Sequence, residues 1–111
     1  MPEAIAERYA RALDEVIGPG GDYRLVSQDL ESFASIYKES SELREVLQSP
    51  VVAPEQKTKV IEAILARLGA SPVTTKFLRV LMRHYRINLL DEIRLSLQNI
   101  IDERLGILKM R

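Results

Sequence analysis

Apolar residues recur at intervals of three and four positions along almost the whole chain, and charged residues fill the positions between them. This spacing is typical of α-helices with one buried face, whereas half-buried strands would show strict alternation. Residues that start and stop helices divide the pattern into segments. The pattern predicts helices at residues 4–17, 23–38, 42–48, 54–68, 72–85 and 90–105. We therefore expect an all-α protein, folded as a compact antiparallel bundle of about six helices.

Capping residues, prolines and glycines mark the boundaries between these helices. The run Gly-Pro-Gly-Gly at residues 18–21 cannot continue a helix, because proline has no amide proton and glycine favours turns. Pro72 suits the first turn of the fifth helix, and Gly69 and Gly106 suit the ends of the fourth and sixth. Short polar side chains that can accept hydrogen bonds from a first helical turn precede the second, third and fifth helices: Asp22, Ser40 or Ser41, and Ser71.

The first and fifth helices carry more apolar surface than one buried face requires. On a helical wheel the apolar arc spans roughly 160° in the first helix and roughly 200° in the fifth, whereas about 100° suffices for a surface helix that packs on one core. Either both helices are central in the bundle and buried on most sides, or each has a second apolar strip that another molecule covers. The periodicity alone favours neither interpretation.

Composition narrows the kinds of partner. The length of 111 residues is enough for one domain with a buried core. Lys plus Arg and Asp plus Glu both number 16, so no net charge attracts the chain to nucleic acid or anionic lipid. The absence of cysteine excludes disulfides and thiolate chemistry. With balanced charge, we expect partners to be recognised by shape and apolar contact. No apolar run reaches the ~18 residues of a membrane span and no signal-peptide pattern opens the chain, so we expect a soluble protein.

Residues with catalytic or metal-binding chemistry do not form a recognisable site. His84 is the only histidine, and without cysteine a zinc site would need an unusual set of one imidazole and several carboxylates. A triad of a serine, His84 and Asp91 or Glu92 would lack an oxyanion hole. Segment 18–21 follows a helix and lacks the Gly-Lys-Ser/Thr ending of phosphate-binding loops. We expect no catalytic residues, no cofactor and no metal, and an enzyme that uses His84 is a remote alternative.

A group of arginines near the end of the fifth helix is the strongest local charge feature: Arg79, Arg83, Arg86 and Arg94. A basic patch is the usual electrostatic sign of nucleic-acid binding. The balanced net charge, the few aromatic side chains available for stacking and the absence of a recognition-helix pattern argue against that function. We interpret the arginines as one solvated face that runs from the fifth helix into the next turn. A free-standing regulatory or nucleic-acid-binding helical domain is the alternative function.

Several short motifs occur in a fixed order along the chain. They are Arg8-Tyr9-Ala10-Arg11-Ala12-Leu13; Leu47-Gln48-Ser49-Pro50 followed by Lys57 and Val60-Ile61; and Ser71-Pro72-Val73-Thr74-Thr75 leading into Phe77-Leu78-Arg79-Val80-Leu81. In order and spacing these motifs resemble the N-terminal domain of the delta subunit of bacterial F-type ATP synthases, a family that includes the mitochondrial oligomycin-sensitivity-conferring protein. The resemblance covers nearly the whole chain.

The resemblance implies a stator component with no catalysis of its own. In this family the N-terminal domain is a six-helix bundle on top of the catalytic head, and its first and fifth helices form a groove for the amphipathic N-terminal helix of an α subunit. A C-terminal portion joins the b-type peripheral stalk, so that the head is held still while the rotor turns. The implied location is the cytoplasmic face of the bacterial inner membrane or its organelle equivalent, where the protein is peripheral and does not insert into the membrane. The resemblance implies no nucleic-acid partner.

The resemblance also implies which side chains line the groove. Family interface positions match Tyr9, Ala12 and Val80, and the helical wheel adds four more residues on the same strips: Val16, Val73, Phe77 and Leu81. We expect the side of the first helix that carries Leu13 to face the bundle.

One segment departs from the family pattern. At residues 84–86 this chain has His-Tyr-Arg, where the family usually has a glycine before arginine, so we expect a different turn after the fifth helix. We expect residues 1–105 to form the α-subunit-binding domain and residues 106–111 to be a tail or the start of a linker to a C-terminal, stalk-binding portion.

Overall fold

The computed structural model describes residues 2–106, and within them helices dominate and no strand is formed. The helices are α1 (Pro2–Ile17), α2 (Tyr23–Glu39), α3 (Ser41–Gln48), α4 (Pro54–Leu68), α5 (Pro72–Arg83) and α6 (Leu90–Arg104), and a short 3-10 helix (Ile87–Leu89) leads into α6. The predicted all-α fold is confirmed, and each predicted helix matches an observed one to within a turn. None of the described helices has the length and hydropathy needed to cross a membrane.

The predicted caps act at the starts of three helices. Asp22 Oδ1 accepts a hydrogen bond from the Leu25 amide at 3.0 Å. Ser40, rather than Ser41, caps α3 by accepting from the Leu43 amide at 3.1 Å. The Ser71 hydroxyl oxygen accepts from the amide of Thr74 at 3.3 Å, and Pro72 occupies the first turn. At the end of α4, Gly69 adopts the left-handed conformation (φ 68°) that glycine tolerates best.

The end of α5 is closed by a tyrosine in the left-handed conformation. The helix ends at Arg83 rather than at Tyr85, and Tyr85 has φ 57°. The Arg86 amide donates to the Leu81 carbonyl at 2.8 Å and the Tyr85 amide to the Met82 carbonyl at 3.1 Å. This pair of bonds is the Schellman motif, which usually places glycine where Tyr85 stands.

The core is formed where α1 packs along α6, with α2 also against α6 and α4 against α5. The buried residues of α1 recur with helical spacing: Ala6, Ala10, Leu13 and Ile17. The two alanines among them let the neighbouring helix approach closely. The central positions of α6 are filled by Ile93, Leu97 and Ile101, which are almost completely inaccessible to solvent. In addition, α1 contacts α5, so the two helices with wide apolar arcs are neighbours.

Residues 107–111, which make up most of the expected tail, lie outside the described residues. The division into a bundle over residues 1–105 and a tail or linker over 106–111 therefore stays a prediction. Gly106, with φ 73°, follows α6 in the left-handed conformation expected of a residue that ends a helix.

Candidate partner-binding groove

A cleft of about 390 Å³ lies between α1 and α5. We refer to it as the α1/α5 cleft. Its lining comes from both helices and is almost entirely apolar: Tyr9, Ala12, Leu13, Val16, Pro72, Val73, Lys76, Phe77 and Val80. Lys76 is the one charged side chain among these lining residues. The cleft therefore offers apolar contact area and little scope for ion pairing.

Helix α1 has two apolar strips, and the structure assigns each of them a direction. The strip that contains Ala10 and Leu13 is buried against the bundle. The strip that contains Ala12 and Val16 faces the cleft, and the Val16 side chain is 68% exposed. The direction expected for Leu13 is confirmed, although Leu13 also reaches the floor of the cleft. The wide arc of α1 therefore serves two surfaces, only one of which is covered within the described residues.

Helix α5 contributes the opposite wall. Val80 is 37% exposed on this wall, Val73 is half-buried, and Phe77 is buried at the floor. Leu81 was predicted to line the groove, but this prediction is wrong because Leu81 is fully buried in the core and is absent from the lining. Each step of four residues rotates about 40° around a helix, so the line from Val73 through Phe77 turns into the core by Leu81.

An aromatic contact joins the two walls. The Tyr9 and Phe77 rings meet edge to face, with centroids 6.4 Å apart and an interplanar angle of 73°. Such pairs contribute about 0.5–1.5 kcal/mol beyond the burial of their surface. Because Tyr9 belongs to α1 and Phe77 to α5, this contact helps to fix the distance between the helices at the floor of the cleft.

Three lining residues were missed from the sequence. The sequence pattern places Leu13 in the core and marks Pro72 only as a helix start, and Lys76 lies on the polar side of the helical wheel. Pro72 extends this wall to the first residue of α5, and Lys76 lies between Val73 and Phe77 along the helix. Periodicity does not identify Pro72 and Lys76 as lining residues, because they reach the cleft only through the position of α5 next to α1.

The predicted single face of arginines does not form. Arg79 is ion-paired with Glu62 of α4, and together with Arg83 it lines a recess between α4 and α5. Arg94 bonds Asp91 at 3.0 Å and lines a different recess, between α2 and α6. The interpretation as one continuous solvated face is therefore wrong, because the turn and the 3-10 helix between α5 and α6 redirect the chain.

The remaining candidate chemistry is dispersed. His84 is exposed at the end of α5. Within residues 2–106, no group of three or more His, Asp or Glu side chains is arranged to hold a metal ion. On the outer face of α1, the Glu7 carboxylate accepts a hydrogen bond from Arg11 at 2.7 Å and thereby raises the pKa of the Arg11 guanidinium. The α1/α5 cleft is thus the described feature best suited to a binding function.

The family model and the relatives that match this chain all name the same subunit. A family model described as ATP synthase delta (OSCP) subunit matches residues 5–111. The ATP synthase subunit delta of Acidobacterium capsulatum is 32% identical over 105 residues, which cover 94% of this chain and 59% of the relative. That of Syntrophus aciditrophicus is 37% identical over 99 residues, 89% of this chain and 55% of the relative. The subunit delta of Magnetococcus marinus is 31% identical over 107 residues, covering 96% and 58%.

This chain spans less than two thirds of the length of these relatives. The family match nevertheless covers all six helices apart from the first residues of α1. Both the ordered motifs and the fold agree with it. The chain belongs to the ATP synthase delta (OSCP) subunit family.

Proposed function

We propose that this chain is a non-catalytic stator component of an F-type ATP synthase. It binds the amphipathic N-terminal helix of an α subunit in the α1/α5 cleft and helps to link the catalytic head to the peripheral stalk. The observation that carries the proposal is the open apolar cleft between the two helices that the family resemblance implicates. Val16 and Val80, one on each wall, are exposed there and are suited to be covered by a partner.

The shape and chemistry of the cleft favour a helix as the occupant. An amphipathic helix binds in an apolar groove through anchor side chains spaced three and four residues apart. The small Ala12 lies between Tyr9 and Val16 on the α1 wall, and it leaves room for the backbone of a partner helix. Tyr9 is half-buried, and its ring offers a large, rigid contact surface.

The expected burial is sufficient for tight binding without ion pairs. Covering some 400 to 600 Å² of apolar surface contributes on the order of 10–15 kcal/mol before costs, at about 25 cal/mol per Å². The lost motional freedom of the partner and the ordering of its helix remove a large part of this gain. What is left is enough for a stator contact that has to remain closed while torque acts on the head.

The proposed location follows from the proposed assembly. As part of an ATP synthase, the chain belongs to a membrane-associated complex, where it acts as a peripheral component on the cytoplasmic face of the bacterial membrane or its organelle equivalent. We assign contact with the b-type stalk to a C-terminal portion, as the family resemblance implies.

Titration of a peptide of the α-subunit N-terminal helix into the 111-residue chain, with Val80→Asp as the variant, tests this function. A charge at position 80 remains solvated in the free protein but is buried in the complex, so we expect affinity to fall by roughly tenfold or more with helicity retained. Val16→Asp tests the other wall and should act alike. Val51 is 90% exposed and outside the lining, so Val51→Asp is the matched control.

Two results would contradict the proposal. If the peptide binds Val80→Asp and Val16→Asp as tightly as the wild type, the cleft is not the binding site. If the chain ignores the peptide but binds duplex DNA with a steep salt dependence, the alternative of a nucleic-acid-binding domain is correct.

A further inference from the structure

One buried carboxylate bonds the start of α5 without taking part in the lining of the α1/α5 cleft. Asp29 of α2 is 7% exposed. Its Oδ2 atom accepts a hydrogen bond from the backbone amide of Ser71 at 2.9 Å and another from the hydroxyl of Thr74 at 2.8 Å. Ser71 and Thr74 are 42 and 45 residues away along the chain. A single carboxylate oxygen therefore ties α2 to the start of α5.

The residues at the start of α5 form a closed hydrogen-bond network around this oxygen. Ser71 is the N-cap, and its hydroxyl oxygen lies 3.0 Å from that of Thr74. Thr74 is completely buried, so its hydroxyl has no access to water and depends on partners inside the protein. Hydrogen bonds to an ionised acceptor are stronger than neutral ones, and a negative charge at a helix N-terminus also complements the helix dipole.

This network is adjacent to the wall of the cleft. Pro72 and Val73 lie between Ser71 and Thr74 in the sequence, and both line the cleft. Phe77 follows one turn later and meets the Tyr9 ring of α1. Any shift of the first turn of α5 relative to α2 therefore moves the apolar side chains that a partner would contact. Asp29 itself is covered and outside the lining, so it cannot touch that partner.

We propose that Asp29 is a positioning residue for partner binding. By holding the Ser71 amide and the Thr74 hydroxyl, it fixes the α5 wall at the separation from α1 that an α-subunit N-terminal helix requires. This inference rests on the proposed function. It adds that binding depends on a carboxylate in a third helix, which contributes no contact surface to the groove.

The test compares three variants by titration with the same α-subunit peptide. Asp29→Ala removes the acceptor, and Asp29→Asn keeps a carbonyl oxygen that can accept both hydrogen bonds. Asp22→Ala is the matched control. Asp22 also accepts a hydrogen bond from a backbone amide, but that amide belongs to Leu25 of α2 itself, so Asp22 caps α2 and does not tie it to α5. We expect Asp29→Ala to weaken binding about tenfold, Asp29→Asn to restore most of the affinity, and Asp22→Ala to bind like the wild type.

Amide hydrogen exchange in the free protein supplies a readout that general destabilisation does not reproduce. Exchange of the Ser71 amide should accelerate in Asp29→Ala and stay slow in Asp22→Ala. If Asp29→Ala does not fold, Thr74→Val takes its place, since it keeps the side-chain shape and removes one donor. A loss of affinity of about threefold is then expected.

The possible failures are distinguishable. If the wild type binds the peptide and Asp29→Ala, or Thr74→Val in its place, binds equally well, the positioning role is overturned and the proposed function stands. If the wild type does not bind the peptide, the proposed function is overturned and the role of Asp29 with it.

Discussion

At the residue scale, Tyr85 combines an unfavourable backbone conformation with a favourable side-chain contact. A non-glycine residue in the left-handed region costs about 1–2 kcal/mol. The Lys57 ammonium lies 5.0 Å from the centroid of the Tyr85 ring, and Lys57 is only 1% exposed. A cation over an aromatic face contributes about 0.5–2 kcal/mol, depending on how far it is desolvated. The exposed ring thus covers a buried lysine, which offsets the cost of placing tyrosine where glycine is usual.

Substitutions at Tyr85 separate these two effects. Tyr85→Ala keeps the left-handed strain and loses the ring, so we expect it to destabilise the fold by about 1 kcal/mol. Tyr85→Gly also loses the ring but relieves the strain, and it should be about 1 kcal/mol more stable than Tyr85→Ala. Urea unfolding of both variants measures the difference. Equal stability of the alanine and glycine variants would show that the backbone at residue 85 is unstrained.

Two alanines on opposite strips of α1 give a second residue-scale prediction. Ala10 is completely buried against the bundle, whereas Ala12 is exposed in the cleft. Ala10→Leu overpacks the core and should lower the free energy of unfolding by about 1–3 kcal/mol. Ala12→Leu should leave stability nearly unchanged but fill the cleft and weaken α-peptide binding by roughly tenfold. Thermal unfolding and peptide titration of both variants check the contrast, and similar stability of the two would contradict it.

At the element scale, a single residue ends α2 and begins α3. The Ser40 amide donates to the Ile36 carbonyl at 3.0 Å at the end of α2, while its hydroxyl oxygen caps α3. This double use leaves no loop between the two helices and fixes the angle at which α3 leaves α2. Between α4 and α5 the two roles belong to different residues, because Gly69 ends α4 and Ser71 caps α5.

Removing the Ser40 hydroxyl tests this junction. Ser40→Ala retains the backbone bond to Ile36 and loses the cap of α3, so we expect a destabilisation of about 1 kcal/mol. Ser41→Ala removes an exposed hydroxyl within the first turn of α3, and it should change stability by less than about 0.5 kcal/mol. Chemical denaturation distinguishes them. A larger effect at Ser41 would mean that Ser41 is the cap.

At the scale of the whole molecule, the apolar cleft and the ion-paired side chains lie on different faces. The α1/α5 cleft contains one charged lining residue, Lys76, whereas Arg79 and Arg94 are held in ion pairs on other faces. Charges on α1 and α6 are also used within the bundle, where Arg104 pairs with Asp14. The surface proposed for partner binding therefore depends on burial of apolar area, which salt affects little.

The salt dependence of binding follows from this distribution. Raising the salt from about 50 to about 200 mM should change the affinity for the α-subunit peptide by no more than about threefold, since at most one exposed ion pair is screened. Binding driven by phosphate contacts would weaken by orders of magnitude over the same range. Titrations at the two salt concentrations distinguish apolar binding from binding driven by phosphate contacts. Lys76→Ala, which removes the charge from the lining, is the control.

The six helices, most of their caps and the family can be predicted from the sequence alone. These features depend on local spacing and on the order of short motifs, which can be interpreted without knowing where other helices lie. The same local spacing shows the wide apolar arcs of α1 and α5, but it does not tell whether they are buried or open. Together with the family resemblance it predicts seven lining residues, and six of them line the cleft.

Which side of α1 and α5 the neighbouring helices cover is visible only in the folded bundle. A helical wheel gives the angle between residues of one helix but not the direction of the next helix, so it could not separate Val80 in the cleft from Leu81 in the core. It also could not find the bonds from Asp29 to the start of α5, because their partners are more than forty residues apart in sequence and come together only when the bundle closes.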